Sequence, residues 1–358
     1  MATLASPTAP APTRAARSGG GLLRYILWRA LLILPTVFIL VTMVFLLMRS
    51  IGDPITAAVG GKLPPDELAK RIHDAGYDRP ILTQYFEYLG QVFTGNFGTT
   101  ISDNRAVTEV LATFGAATLE LAVFTLIVAF VVGIPLGMLA AYYRDRGPDA
   151  VLRVFAIFTY ATPVFFSGLL MKLIFGVWLG WLPVSGRASI GTELQIEMLD
   201  APSGFYLIDA FRTGNLANVG DVLIHAILPA LTLGMMTAGI FLRLVRTNMI
   251  GTIGREYVDS ARSRGVGEFR LVTKHAYRPA LIPIITVIGL QIAMLLGGAV
   301  LTETTFEWKG LGFQLAHYLS ARDFVAVQGI VALLAVIVAL SNFVVDVVAA
   351  LIDPRVRY

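Results

Sequence analysis

Six long, uncharged apolar runs constrain this chain of 358 residues more than any other feature of its sequence. A helix needs roughly 20 residues to cross about 30 Å of hydrocarbon, and each run is long enough. Helices are expected because lipid cannot satisfy the open edge of a strand. Only 15% of the residues are charged and the mean hydropathy is +0.72. The sequence therefore predicts an all-α membrane protein with six transmembrane helices, at about residues 28–50, 115–143, 151–181, 222–246, 279–302 and 324–350.

The charges between these runs predict on which side of the membrane each loop lies. With the N-terminus inside, 17 of the 28 Lys and Arg residues but only 6 of the 24 Asp and Glu residues fall on the inside. Cytoplasmic loops carry such an excess of Lys and Arg. We therefore expect both termini in the cytosol. The expected segments are a disordered tail at 1–21, outside loops at about 51–114, 182–221 and 303–323, and a cytosolic loop at about 247–278.

The two longer outside loops carry their own signals. Pro64 and Pro65 precede two acidic residues, which predicts the start of a helix. The aromatic residues of 85–93 predict a further helix, lying at the membrane interface. The second loop is acidic and is either a plain tether or a docking surface for an external protein. Its candidate contacts are Glu193, Glu197 and Asp200.

The cytosolic loop contains a short amphipathic pattern between Arg255 and Gly265. An apolar stripe, acidic residues near its start and a glycine at its end predict a capped helix. This helix either rests on anionic lipid headgroups or docks to a protein. The small Ala261 and Gly265 favour a protein, with Ala261 facing a groove in the partner. The candidate contacts are Glu256, Tyr257, Val258, Asp259, Ala261 and Gly265.

The sequence lacks the common patterns of catalytic and metal-binding residues. The absence of cysteine excludes thiol catalysis and iron–sulfur clusters. None of the five lysines precedes Ser or Thr, so the phosphate-binding loop of many ATPases is missing. The four histidines lack the spacing of a metal site. We expect no catalytic residue, no metal, no cofactor on this chain and no nucleic-acid partner.

Polar and small residues in the apolar runs have two interpretations. Lys172 is expected to reach the outer surface in a structural role, while Glu120 and Asp346 mark helix ends or pair between helices. Small and uncharged polar residues in the fifth run either pack helices closely or line a translocation path. The candidates for the path are Gln291, Met294 and Gly298.

Short motifs, taken in order from Leu22 to Tyr358, resemble the B-type subunit of the peptide-class (dipeptide and oligopeptide) permeases of ABC importers. In the cytosolic loop, Asp259-Ser260-Ala261 followed by Gly265 is similar to the family's ATPase-coupling motif, although only Ala261 and Gly265 match its generic form. The other motifs are Gly52-Asp53-Pro54, Gly95-Asn96-Phe97-Gly98, Gly133 to Gly137, Leu228 to Gly234, Glu303-Thr304 with Gly310-Leu311-Gly312, and Ala321-Arg322-Asp323.

The resemblance implies a type I ABC importer permease fold in the bacterial plasma (inner) membrane. It also implies three kinds of partner besides membrane lipid: a second homologous permease, two cytosolic ATPases that bind ATP and Mg, and an extracytoplasmic peptide-binding protein. The implied cargo is a dipeptide or oligopeptide, with a nickel chelate, glutathione or haem as alternatives. A self-contained secondary carrier would need matched inverted repeats, and a membrane-embedded enzyme a polar cluster at one depth. The sequence shows no clear sign of either.

Overall fold

The computed structural model describes residues 20–352, in which all regular elements are helices apart from one isolated β-bridge between Thr99 and Ala106. This description excludes residues 1–19 and 353–358 and the side chains at many positions of 278–298. Nearly all of the tail predicted at 1–21 therefore lies outside the described residues. Two π-helical turns, Lys172–Trp178 and Leu271–Ala276, follow α7 and α12. The helices are α1 Gly20–Ile51, α2 Pro54–Val59, α3 Pro65–Asp74, α4 Ile81–Thr94, α5 Val107–Tyr142, α6 Gly147–Ala161, α7 Val164–Met171, α8 Ile190–Glu197, α9 Tyr206–Arg212, α10 Leu216–Ile253, α11 Glu256–Ser263, α12 Glu268–Arg270, α13 Tyr277–Phe306, α14 Leu311–Ser320 and α15 Phe324–Ile352.

Four of the described helices are long and apolar enough to cross a membrane. These are the stretches Leu22–Ile51, Val107–Tyr142, Leu216–Ile253 and Phe324–Val348, and the bent pair of α6 and α7 is a fifth candidate. The remaining predicted span, 279–302, falls within the 30 residues of α13. Helices therefore occupy all six predicted positions, with α5 and α10 extending several residues beyond the predicted limits.

The third predicted span, 151–181, is not one straight helix. Its two halves are bent by 103° where Thr162 and Pro163 separate α6 from α7. Proline lacks a backbone N–H and pushes the residue before it into extended conformation. Thr162 has that conformation, with φ of −79° and ψ of 127°. Pro163 could have indicated this break in the sequence, but the span was predicted from the length of the apolar run, which does not reveal a bend.

Helices α5 and α10 form the centre of the molecule, and glycines set their separation. A Cβ atom on Gly133 would lie 2.7 Å from the Ala238 carbonyl oxygen, and one on Gly137 would lie 2.6 Å from Cβ of Val245. On α10, a Cβ atom on Gly234 would lie 2.7 Å from Cβ of Val128. Small residues let helix backbones approach in this way. The motifs at Gly133 to Gly137 and Leu228 to Gly234 thus have a packing function.

The first loop predicted to lie outside folds back onto the long helices α1 and α15. Helix α3 begins at Pro65 with Asp66 and Glu67 in its first turn, which confirms that prediction. Helix α4 buries Tyr88 against Phe45 of α1 and Ala332 of α15, whereas its Phe93 is exposed. The apolar face of α4 therefore packs on protein. The predicted position of this helix at the membrane interface stays a prediction.

Two charged residues of the apolar runs pair within the protein. The ammonium group of Lys172 donates a hydrogen bond of 2.8 Å to the carbonyl oxygen of Thr305, near the end of α13 and in the stretch predicted to be outside. Asp346 of α15 forms an ion pair of 3.2 Å with Arg29 of α1. Both residues connect helices, which agrees with structural roles.

Candidate functional site: helix α11 and the loop of α8 and α9

The backbone of helix α11 ends in a Schellman motif. Gly265 has a φ of +80°, and its N–H donates to the carbonyl of Arg262 at 3.0 Å. The N–H of Val266 donates to the carbonyl of Ala261 at 3.3 Å. These two bonds are the defining pair of the motif, which usually includes an apolar contact between the residues at the ends of the longer bond. The spacing of Ala261 and Gly265 therefore has a local structural reason.

One face of α11 is anchored on the chain's own membrane helices. Val258 is buried in an apolar cluster with Met249 of α10 and Leu271 of the following π-helical turn. Ala261 and Val266 are partly buried against the same cluster. Ala261, predicted to face a groove in a partner, is thus directed at this chain, because the narrow apolar stripe of α11 is needed to hold the helix in place.

The opposite face of α11 is exposed and charged. Glu256, Tyr257 and Asp259 lie on it, and they are the predicted contacts that remain available to a partner. Arg262 bridges Asp259 at 2.5 Å and Glu268 at 2.6 Å. The hydrogen bond from Arg262 lowers the pKa of the Glu268 carboxyl, so this carboxylate stays ionised to a lower pH than an ordinary glutamate.

Phe269 is a surface residue that the sequence analysis missed. It is 83% exposed, beside the charged face of α11. It also borders a groove of about 360 Å³ at the end of α5, together with Leu139, Tyr142 and Tyr143. The available signal was a single aromatic residue between Glu268 and Arg270 in a loop predicted to be cytosolic. A single exposed apolar residue is common, but here Phe269 forms a continuous apolar surface with the side chains of this groove, and such patches mark contacts with protein or membrane.

The second loop predicted to lie outside is a folded unit. Helices α8 and α9 share an apolar cluster that includes Ile196 and Ala210. At its base, Arg187 donates to the buried carboxylate of Glu120 at 2.6 Å and stacks 3.6 Å from the ring centroid of Tyr206. Sequence reasoning missed this pairing because the two charges are 67 positions apart.

The predicted docking residues of this loop differ in accessibility. Glu197 and Asp200 are exposed, whereas Glu193 is partly buried. Exposed apolar side chains accompany them, with Ile190 78% and Met198 82% accessible. The surface thus offers carboxylates and apolar groups together.

The candidates for the translocation path are on α13. Gln291 is buried there. The surroundings of Met294 and Gly298 lie outside the described side chains, so their role stays a prediction. In the described part of the chain, no group of three or more His, Asp or Glu residues could hold a metal ion.

The comparisons with known proteins agree on one family. Residues 133–358 match the family described as "Binding-protein-dependent transport system inner membrane component". Residues 22–113 match the family described as "Binding-prot-dependent transport system membrane comp, N-term", which is the N-terminal part of the same membrane component.

Curated relatives match over nearly the whole chain. The di/tripeptide transport system permease protein DppB of Pseudomonas aeruginosa is 37% identical over 94% of this chain and 99% of its own length. The glutathione transport system permease protein GsiC of Salmonella choleraesuis is 34% identical over 94% of this chain and 100% of its own length. A chain in a solved inward-facing structure of the MetNI methionine ABC transporter is 16% identical, with a TM-score of 0.48, over 67% of this chain and 96% of that chain. On the family match and the curated relatives, the chain belongs to the binding-protein-dependent transport system inner membrane components and is a multi-pass permease subunit of the inner membrane.

Proposed function

We propose that this chain is a permease subunit of an ATP-driven, binding-protein-dependent importer of dipeptides and oligopeptides. It forms the translocation path with a second homologous permease. Two cytosolic ATPases bind ATP and Mg, and an external peptide-binding protein delivers the cargo. The chain crosses the membrane six times in a type I importer fold, with both termini in the cytosol.

The anchoring of α11 is the observation that carries the coupling role. Val258 ties this helix to the inner ends of α5 and α10, which pack closely along their length. A partner that pulls or pushes on the exposed face of α11 therefore moves those two helices with it. ATP-driven closure of the ATPases then shifts the permease between two states that differ in their contacts with α11.

The choice of peptide cargo is supported by the relative from P. aeruginosa, which is described as a di/tripeptide permease. Glutathione, which is a tripeptide, is the second candidate, because a relative of similar identity is described as a glutathione permease.

Reconstitution of the purified complex into liposomes tests the proposal. We expect ATP-dependent uptake of radiolabelled dialanine when the binding protein is supplied. The chain purified without the ATPases should hydrolyse no ATP, since it lacks the phosphate-binding loop. Uptake in the absence of ATP would contradict the ATP-driven class. Uptake of glutathione without uptake of dialanine would select the second candidate.

A further inference from the structure

A groove of about 370 Å³ runs between α6 and α10. The two helices are antiparallel here, because Arg246 pairs with Asp149 at 2.6 Å and a Cβ atom on Gly239 would lie 3.0 Å from the carbonyl oxygen of Ala156. The groove therefore begins beside the end of α10 that leads to α11, and it extends along α6 towards the bend at Pro163. None of its lining residues belongs to α11 or to the loop of α8 and α9.

The walls of the groove are apolar and accessible. Ile157 is 67% exposed and Tyr160 56%, and Ile240 lines the facing wall on α10. These residues lie in the third and fourth predicted spans, so the walls are at the depth of the membrane. An exposed apolar surface of this size is a place where another apolar group packs. The walls alone accept either a lipid chain or a helix of another subunit.

Three arginines make the groove cationic, and two of them are accessible to a ligand. Arg246 is held by the buried Asp149, which also lies 3.7 Å from Nε of Arg153. The side chain of Arg153 is nevertheless 51% exposed. Arg243 is exposed and is in none of the ion pairs among the described residues; its guanidinium carbon lies 6.0 Å from the ring centroid of Tyr160. One carboxylate thus faces three guanidinium groups, which leaves an excess of positive charge at the groove.

We propose that this groove binds one molecule of an anionic phospholipid. Its phosphate accepts hydrogen bonds from the guanidinium groups of Arg243 and Arg153, and one of its acyl chains lies against Ile157, Tyr160 and Ile240. Charge complementarity selects a lipid over a helix. An apolar helix would cover the walls but leave the excess positive charge without a counter-ion at the membrane boundary, which is costly. A phospholipid supplies the anion and the apolar chain in one molecule, and guanidinium groups suit phosphate well.

The position of the groove along the helices fits this class of ligand. In the proposed topology, Arg153 and Arg243 lie at the inner ends of their spans. The cytoplasmic leaflet carries the anionic lipids, and basic pockets between membrane helices on that side bind phosphate headgroups. The choice of leaflet rests on the proposed topology. Binding itself does not, because the groove has the same walls and charges in either orientation.

Equilibrium binding of radiolabelled phosphatidylglycerol to the full chain, purified in detergent with the subunits that remain bound, tests the proposal. We expect saturable binding that unlabelled phosphatidylglycerol displaces. Phosphatidylcholine with the same chains should displace it poorly, because its headgroup is zwitterionic, and glycerol phosphate should displace it poorly, because it has no chain. Arg243→Gln should weaken binding about tenfold, since the phosphate loses a charged donor. Ala161→Trp, which fills the apolar wall without changing the charge, should weaken binding in the same direction.

Arg24→Gln on α1 is the matched control. Arg24 is exposed and is predicted on the same side of the membrane, but it does not line the groove. This variant should leave binding unchanged. Equal losses in Arg24→Gln and Arg243→Gln would assign the binding to general surface charge, and displacement by phosphatidylcholine as strong as by phosphatidylglycerol would exclude recognition of an anion. Absence of saturable binding, with Ile157→Cys protected from a maleimide in the same complex, would assign the groove to a neighbouring subunit. Each of these results overturns the proposal, and none of them depends on which cargo is imported.

Discussion

At Gly265 the backbone is left-handed, with a φ of +80° and nothing within 4 Å of the position of a Cβ atom. Any other residue at this position would therefore be destabilising because of backbone strain and not because of a steric clash. We expect Gly265→Val to destabilise the end of α11 by about 1–2 kcal/mol, the usual penalty of a left-handed residue with a side chain. In the assembled importer it should lower dipeptide-stimulated ATP hydrolysis, while membrane insertion is unchanged.

Gly267 supplies the control for this variant. Its φ is −61°, in a region open to all residues, and the space around it is also empty. Gly267→Val should therefore leave thermal unfolding and ATP hydrolysis near the wild-type values. Equal effects of the two variants would show that the left-handed turn is unimportant.

Ala261 distinguishes anchoring from docking. Because its side chain packs against the chain's own cluster, Ala261→Asp should lower the thermal stability of the permease itself by about 1–3 kcal/mol. Ser260→Asp, on the exposed side of the same helix, should not. Thermal unfolding of each variant without the ATPases measures the difference. A loss of ATPase attachment with unchanged stability of Ala261→Asp would restore the original prediction that Ala261 faces the partner.

The sequence could predict α11 and its glycine cap but not the direction of its apolar stripe. Capping and helix-dipole signals are local, and they lie within the 11 residues from Arg255 to Gly265. Whether Val258 and Ala261 meet this chain or another depends on Met249 and Leu271, which approach only in the folded molecule.

Among the elements, α6 and α10 are joined by a buried ion pair. Arg246 donates to both oxygens of Asp149, at 2.6 and 2.7 Å, and Asp149 is fully buried. The substitution Arg246→Leu removes the close partner of the Asp149 carboxylate, while the carboxylate itself stays buried. We expect a loss of about 3–5 kcal/mol in stability, seen as a lower midpoint in thermal unfolding in detergent.

Arg153 is the matched control for the pair, since it lies 3.7 Å from the same carboxylate and is half exposed. Arg153→Leu should cost less than about 1 kcal/mol. The double variant Asp149→Leu with Arg246→Leu should recover much of the loss, because no unpaired charge stays buried. A double variant as unstable as Arg246→Leu would show that the helices need the charges for another reason.

The elements differ in how far the sequence could predict them. The long helices follow from apolar length, and α3 follows from Pro65 and the acidic residues after it. The fold of the loop that contains α8 and α9 does not follow from the sequence, because it depends on Arg187 reaching Glu120 across 67 positions. Nothing in the local pattern of either residue specifies the other.

On the scale of the whole molecule, the distribution of charge predicts which ends of the helices are cytosolic. Helix α10 has 38 residues, which at 1.5 Å per residue is about 57 Å and well beyond the hydrocarbon thickness. If α10 crosses the membrane, its two ends must therefore project from opposite sides of the bilayer. The folded loop of α8 and α9 precedes it, and the basic segment with α11 follows it.

Cysteine labelling tests this orientation directly, because the chain has no cysteine of its own. Ser203 precedes α10 and Ser263 follows it, and both are exposed in the folded chain. In right-side-out membranes an impermeant maleimide should label Ser203→Cys and not Ser263→Cys, since the excess of Lys and Arg places α11 inside. Detergent should make both labels equal, which controls for local accessibility. The reverse pattern would invert the topology, and labelling of both before detergent would mean that α10 does not cross the membrane.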